Sequence, residues 1–224
     1  MGQDAPVWIT RARPGAEATA ARVTVLGFTA VVDPLLAVEP LDAAIDLTHA
    51  AALAFTSANG VEAFTRLSDE RSLPVFAVGR ATARAAESEG FVSVASADGD
   101  VETLGRLVAG SASGPVLWAG AEEPAGDLVS LLRARGVMAR GVAVYRTIER
   151  APSSSTLAAL DTLTVLLHSP RAARALAALL KARPAPALRA LCLSEAVAAP
   201  LRDFTAVTVA SRPEESALLD LLSA

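Results

Sequence analysis

An α/β fold of two similar parallel-sheet domains is what this sequence predicts, and three observations lead there. Short apolar runs alternate with amphipathic helix-like segments from end to end, the pattern of parallel strands covered on both faces. Gly27, Gly90 and Gly136 each stand just past a helix-like segment, where a left-handed C-cap has no room for a side chain. The second half of the chain also repeats the first, faintly but in order. Phe55-Thr56-Ser57 returns as Leu167-His168-Ser169, Val78-Gly79 as Leu193-Ser194, Ser93-Val94-Ala95-Ser96 as Thr208-Val209-Ala210-Ser211, and Val7-Trp8-Ile9 as Val116-Leu117-Trp118, each about 110 residues downstream. A period that long means two copies of a domain rather than a solenoid, and two such domains leave a cleft where a ligand is expected.

In chain order, the apolar run 6–10 reads as a strand and the alanine-rich segment 15–26, stopped by Gly27, as a helix. A β-branched strand at 29–32 follows. Asp33 to Pro40 is an extended connector, because prolines at 34 and 40 block a helix at both ends. Strand 51–56 runs straight into a helix at 60–68. Strand 75–78 with helix 81–89, strand 92–95 with helix 101–108, and strand 116–119 with helix 126–135 continue the alternation. The stretch 143–148 alternates apolar and polar residues as a second extended connector, and Pro152 with Ser153–Ser155 follows it as loop. Strand 164–167 with helix 171–182, strand 188–193 with helix 195–201, and strand 206–209 with helix 213–223 complete the chain.

Two extended connectors this far apart predict that the middle of the chain is inserted into the other domain. The expected division is 1–38 plus 148–224 as one discontinuous α/β domain and 39–147 as the inserted one. A chain that crosses twice between domains limits hinge motion without abolishing it.

Composition removes several function classes. Hydrophobic residues make up 52% of the 224 residues and mean hydropathy is +0.41, yet no apolar run approaches the roughly 18–20 residues that span a bilayer. The surplus is largely alanine, which favours helix without adding much apolar area. No membrane association is expected. Met1 to Pro6 shows no basic stretch followed by an apolar core, so no signal peptide is expected and cytoplasmic residence is the default. The single cysteine, Cys192, excludes an internal disulfide and reads as a buried strand thiol. A net charge of −4 argues against a nucleic-acid partner, which requires a basic surface. His49 and His168 show no metal-site spacing, and no metal is expected. G-x-G-x-x-G, G-x-S-x-G and Walker patterns are all missing.

What remains is a set of strand-to-helix turns. Phe55-Thr56-Ser57-Ala58-Asn59-Gly60-Val61 carries Ser57 and Asn59, either of which suits a helix cap, while the same helix start offers N–H groups to an anion. His168-Ser169-Pro170 is the corresponding turn of the second half, with Pro170 suited to the first helical position. Thr10-Arg11-Ala12-Arg13 brings two guanidiniums, either solvated or set to pair with carboxylate or phosphate. Gly79, with Thr82, permits close backbone approach. The turn at Glu122-Glu123 would repel an anion. Tyr145, the sole tyrosine, lies on the returning connector, either as packing with a tethered hydroxyl or facing the cleft. Such turns suit a multiply anionic small ligand.

Four runs then resemble one family: Trp8-Ile9-Thr10-Arg11 with Pro14, Phe55 to Val61, Ala77-Val78-Gly79 with Thr82-Ala83, and Val144-Tyr145-Arg146-Thr147. In that order, over essentially the whole chain, they look like uroporphyrinogen-III synthase. The resemblance implies two α/β domains joined by a two-stranded connector and closing on hydroxymethylbilane, a linear tetrapyrrole with eight carboxylates. It implies a cofactor-free cyclisation, with loss of water and inversion of the last ring through a spiro intermediate; two small domains with extended connectors suggest a monomer. It assigns Tyr145 to departure of the hydroxyl and sets Ser57, Thr82 and Ser169 around the cleft, with Thr10 and Arg11 opening the first helix; Asn59, Gly79 and Ser194 join them as candidate substrate-binding residues. The chain departs from the family at Ser194-Glu195-Ala196-Val197, where Gly-x-x-Thr is frequent. Two other readings stay open: a non-catalytic two-lobed module for a small polyanion, and a regulatory remnant of the enzyme.

Overall fold

The structure, a computed structural model, describes residues 5–13 and 15–223. Pro14 of the first motif, and the first four residues on which the signal-peptide reading rests, lie outside the described residues. The chain opens with β1 (Val7–Ile9), α1 (Gly15–Val25), β2 (Ala30–Val32) and β3 (Leu36–Pro40). It continues through β4 (Ala52–Phe55), α2 (Ala58–Leu67), β5 (Val75–Ala77), α3 (Arg80–Ser88), β6 (Val94–Ser96) and α4 (Val101–Ser111). Then come β7 (Val116–Ala121), α5 (Leu128–Ala134), β8 (Ala139–Glu149) and α6 (Ser154–Ala158). The last stretch holds β9 (Thr164–Leu167), α7 (Pro170–Ala182), β10 (Arg189–Cys192), α8 (Glu195–Ala198), β11 (Ala206–Val209) and α9 (Glu215–Asp220). Among the described residues no helix is long and apolar enough to cross a membrane.

The chain separates into two compact units, 1–37 with 148–224, and 38–147. The first carries a five-stranded sheet in the order β11-β10-β9-β1-β2, and the second sheet has the order β3-β8-β7-β4-β5-β6. The pairings from β1 to β2, β9 to β11 and β4 to β8 are parallel. The α/β class is therefore as the alternation of elements predicts. The sequence repeat maps onto these sheets strand by strand: β1 corresponds to β7, β9 to β4, β10 to β5 and β11 to β6, and with β2 matched to β8 the two orders coincide. With β3 set aside, each half of the sequence gives two strands to one sheet and three to the other, so the repeat unit and the folding unit are different things.

Burial explains why the strands read as unbroken apolar runs. In the first unit Trp8, Val165, Leu167, Ala190 and Cys192 pack on one face with α7 and α8, while Val7, Ile9, Leu166 and Leu191 pack on the other with α1 and α9. In the second, Leu53, Phe55, Leu117 and Ala119 face α2 and α3, and Ala52, Ala54, Val116 and Trp118 face α4 and α5. Successive residues alternate faces and both faces are covered, so every position is apolar. Phe55 and Phe64 meet edge to face at 5.6 Å between ring centroids, a favoured aromatic geometry. Gly27, Gly90 and Gly136 have φ of 88°, 94° and 78°, the left-handed turns expected after α1, α3 and α5.

The loop expected after Pro152 is instead the start of α6. Ser153 Oγ accepts the Thr156 N–H at 3.3 Å, and its own N–H and Oγ donate to Asp33 Oδ2 at 2.7 and 2.8 Å. Cap and carboxylate together hold a helix of five residues that no apolar period announces. Several bounds also shift: α2 begins at Ala58 rather than residue 60, α4 ends at Ser111 rather than residue 108, α9 is shorter at both ends than the expected 213–223, and the strand expected over 143–148 runs from Ala139 to Glu149.

Candidate functional site

In the sheet of residues 38–147, chain order reverses between β4 and β7: β4, β5 and β6 run to one side, β7 and β8 to the other. At such a switch point the loops beyond the carboxyl ends of the two central strands diverge and leave a crevice. A cavity of about 560 Å³ lies there, with Thr56, Tyr145, Thr147, Asp100, Glu102 and Glu123 among its lining residues. The rest of the wall is small and aliphatic.

A β-bulge aims Tyr145. Register between β7 and β8 runs Gly120 to Ala143 and then Ala121 to Tyr145, so Val144 is skipped. Without the irregularity, neighbouring residues would point to opposite faces. With it, Val144 and Tyr145 both join the cluster beneath α2. The Glu122 N–H donates to the Tyr145 carbonyl at 2.8 Å and fixes the bulge. The phenol, 7% exposed, then lies 2.9 Å from Ser57 Oγ.

Ser57 is held in turn by the helix that it starts. Its backbone is extended and its Oγ accepts the Gly60 N–H at 3.1 Å, so the cap expected of this turn forms at Ser57. Asn59 is the second residue inside α2. A Cβ on Gly60 would lie 2.9 Å from the Ala119 carbonyl oxygen, which shows how closely α2 rests on β7. Next to Ser57, Thr56 Oγ1 accepts from Trp118 Nε1 at 3.2 Å. A Cβ on Gly120 would lie 2.2 Å from Trp118 Cζ2, so glycine there is what lets the indole lie back toward the strand end.

The cavity wall is acidic. Asp100 caps α4, and the Thr103 N–H and hydroxyl hold its carboxyl below the usual range. Glu102 pairs with Arg135 at 2.9 Å. Carboxylate substituents of a ligand are disfavoured against these groups, whereas an electron-rich ring or a developing positive charge is not. Gly79 and Thr82 lie at the neighbouring turn after β5. Thr82 is buried in α3. Gly79 has ordinary extended backbone with nothing within 4 Å of a built Cβ, so packing within the fold does not itself require glycine there.

In the other unit the reversal falls between β9 and β1, and Thr10, Arg11, His168 and Ser169 follow those strands. Thr10 is buried and donates to the Leu166 carbonyl at 2.7 Å, and Ser169 Oγ caps α7 through the Ala172 N–H at 3.2 Å. Arg11 is engaged internally: Nη1 lies 3.3 Å from Glu215 Oε1, while Arg22 meets Oε2 at 2.7 Å and Thr19 donates to the same carboxylate. Burial opposes ionisation of Glu215, but Thr19, Arg11 and Arg22 hold it below the ordinary glutamate range. His168 lies beside this group with Nε2 3.6 Å from Glu215, and neither ring nitrogen has a hydrogen-bond partner. Burial, reinforced by the Arg11 charge, pushes the imidazole down to about 4 despite Glu215.

Ser194 begins α8 without a side-chain cap bond, Glu195 pairs with Arg202, and Val197 is buried in the core. Ser57 and Tyr145 are thus brought together across 88 positions of sequence, and Thr10, Arg11 and Ser169 lie beyond the carboxyl ends of the adjacent interior strands β1 and β9. The sequence reading missed Thr56, Thr147, Asp100 and Glu102 as cavity wall and Glu215 as the partner of Arg11. The capping pattern Asp100-x-x-Thr103 was a legible signal for the first carboxylate, but nothing local ties Glu215 to Arg11. Among the described residues no three His, Cys, Asp or Glu side chains gather as a metal-binding set.

The crystal structure of uroporphyrinogen-III synthetase from Helicobacter pylori 26695 superposes with a TM-score of 0.69 at 19% identity, covering 96% of this chain and 97% of that one. A mutant uroporphyrinogen III synthase from the extremely thermophilic bacterium Thermus thermophilus gives 0.53 at 20% identity, with 97% of each chain covered. These likenesses show the fold. A search of curated proteins finds no match. A sequence profile described as HEM4: Uroporphyrinogen-III synthase HemD matches residues 17–220. The chain belongs to the uroporphyrinogen-III synthase HemD family.

Proposed function

We propose that this chain cyclises hydroxymethylbilane to uroporphyrinogen III, releasing water and inverting the last pyrrole ring. The observation that carries the reading, beside the family match over 17–220, is the phenol of Tyr145 set on the wall of a 560 Å³ cavity at a topological switch point. The pyrrole nitrogen lone pair expels the terminal hydroxyl, and the Tyr145 O–H delivers the proton with which it leaves as water. The resulting cationic ring is tolerated beside Asp100 and Glu102, which are ill suited to bind the carboxylate side chains. The substituted carbon of the electron-rich last ring then attacks this electrophilic centre to form the spiro intermediate. Fragmentation and reclosure invert that ring, and loss of a ring proton restores aromaticity.

The chemistry draws on no cofactor, since the substrate supplies both the electron pair and the leaving group. The harder task is regiochemical, and holding the chain in the reactive geometry is what an enzyme contributes. Thr10, Arg11, Asn59, Gly79, Thr82, Ser169 and Ser194 are the proposed substrate-binding positions, and Ser57 faces the Tyr145 phenol. Arg11 reaches a substrate carboxylate only by exchanging it for Glu215.

The test is to supply hydroxymethylbilane to the purified chain and resolve the product isomers. Type III product is expected. Type I alone, the isomer that forms without inversion, would overturn the reading and favour a non-catalytic module.

A further inference from the structure

We infer that Ser57 is a positioning residue for the Tyr145 phenol, directing its O–H into the cavity, rather than a group that binds substrate; this rests on the reaction proposed above. A hydroxyl has one hydrogen to give and two lone pairs to receive with. Ser57 Oγ already receives the Gly60 N–H at 3.1 Å, and its 2.9 Å contact with Tyr145 Oη contains a single hydrogen. If the phenol donated, its hydrogen would be spent on Ser57 and the serine hydrogen would be left over. If Ser57 donates, its one hydrogen is used and the phenol hydrogen is released for the cavity side.

Local electrostatics select the second arrangement. Ser57 sits at the positive end of α2, a helix of ten residues, and an oxygen that accepts from a backbone N–H becomes a better donor through its own hydrogen. The chain of bonds therefore runs from Gly60 N–H to Ser57 Oγ–H to Tyr145 Oη. The bulge that turns Tyr145 onto the α2 face is what lets the two hydroxyls meet. Ser57 then has no hydrogen left to donate to a substrate carboxylate.

The chain contains one tyrosine, so labelling with tyrosine enriched at the ring Cζ carbon gives one resonance that reports on the phenol oxygen. Glycine is the mildest replacement at a helix start after the capping residues themselves, so Ser57→Gly removes the hydroxyl while keeping α2. Ser57→Gly is expected to move the Cζ resonance and to lower kcat at least about tenfold with KM little changed, and Ser57→Thr is expected to restore both. The double variant Ser57→Gly/Tyr145→Phe is expected to be no slower than Tyr145→Phe alone, because a residue that acts through another contributes nothing once the other is gone. An unmoved resonance, a KM effect in place of a kcat effect, losses that multiply in the double variant, or full activity of Tyr145→Phe would each overturn the inference and leave the synthase reading standing. Failure of the wild-type chain to make type III product would instead overturn the reaction, and the positioning role with it.

Discussion

Adding one methyl group at Gly60 tests how tightly α2 is seated over the cavity. By helix propensity alone, Gly60→Ala should stabilise, since alanine exceeds glycine by roughly 1 kcal/mol in a helix interior. The structure opposes this. The new Cβ would lie 2.9 Å from the Ala119 carbonyl oxygen, with Gly120 Cα and Ser57 Oγ each at 3.6 Å. The carbonyl belongs to a strand between two others, in a residue with no exposed surface, so it has nowhere to retreat and α2 must lift instead. Overpacking of this kind costs roughly 1–3 kcal/mol, enough to cancel the propensity gain and leave a net loss of about 1 kcal/mol. For a chain of this size that lowers Tm by roughly 2–4 °C. Gly110→Ala is the control: it lies in α4, is exposed, and meets nothing within 4 Å. It is expected to stabilise by up to about 1 kcal/mol. Thermal unfolding of both variants beside the wild type reads the difference. A Tm that rises in Gly60→Ala as it does in Gly110→Ala would refute the packing argument.

Three further outcomes follow from titratable groups. His168 is held near 4 when folded against an ordinary 6.5, so the unfolded chain binds the extra proton. The stabilisation is complete above pH 6.5 and is lost as pH falls toward 4, by up to about 3 kcal/mol; Glu215, itself depressed, adds acid sensitivity of the same sign. Urea midpoints across that range should show the slope, and His168→Leu should flatten it. Glu215→Ala leaves Arg11 and Arg22 half-buried without their shared counter-ion, at 36% and 46% exposure. Solvent weakens the penalty to about 1–2 kcal/mol, read as a lower Tm that Glu215→Asp partly restores. Cys192 has no exposed surface and burial pushes its thiol up to about 12, so a thiol reagent should label the chain at neutral pH only when denaturant is present.

How far the sequence carried depended on whether the relevant physics was local. Strand Thr164–Leu167 was legible to the residue because burial on both faces leaves it almost wholly apolar, and the edge strand Ala206–Val209 because its half-buried valines alternate with exposed residues. So were the positive-φ glycines, which depend on a few adjacent residues, whereas the cap of α2 was narrowed only to Ser57 or Asn59. The faint repeat carried more than its similarity suggests, since its matched strands occupy matched positions in the two sheets. Helix α6 was hidden because its start depends on Asp33, 120 positions away in sequence from Ser153. The pairing of Ser57 with Tyr145 depends on a bulge with no sequence mark, and the engagement of Arg11 by Glu215 spans 204 positions. Pattern reading therefore found the hydroxyls and the guanidinium, but not what each one faces.

The central claim is that the crevice at the β4/β7 switch point receives the tetrapyrrole. Amide hydrogen exchange of the full chain, measured without and with saturating uroporphyrinogen III under anaerobic conditions, addresses it most directly. Slowed exchange is expected over 56–61, 121–126 and 144–147. Unchanged exchange in all three segments at saturation, with any protection confined to 1–37 and 148–224, would contradict the account.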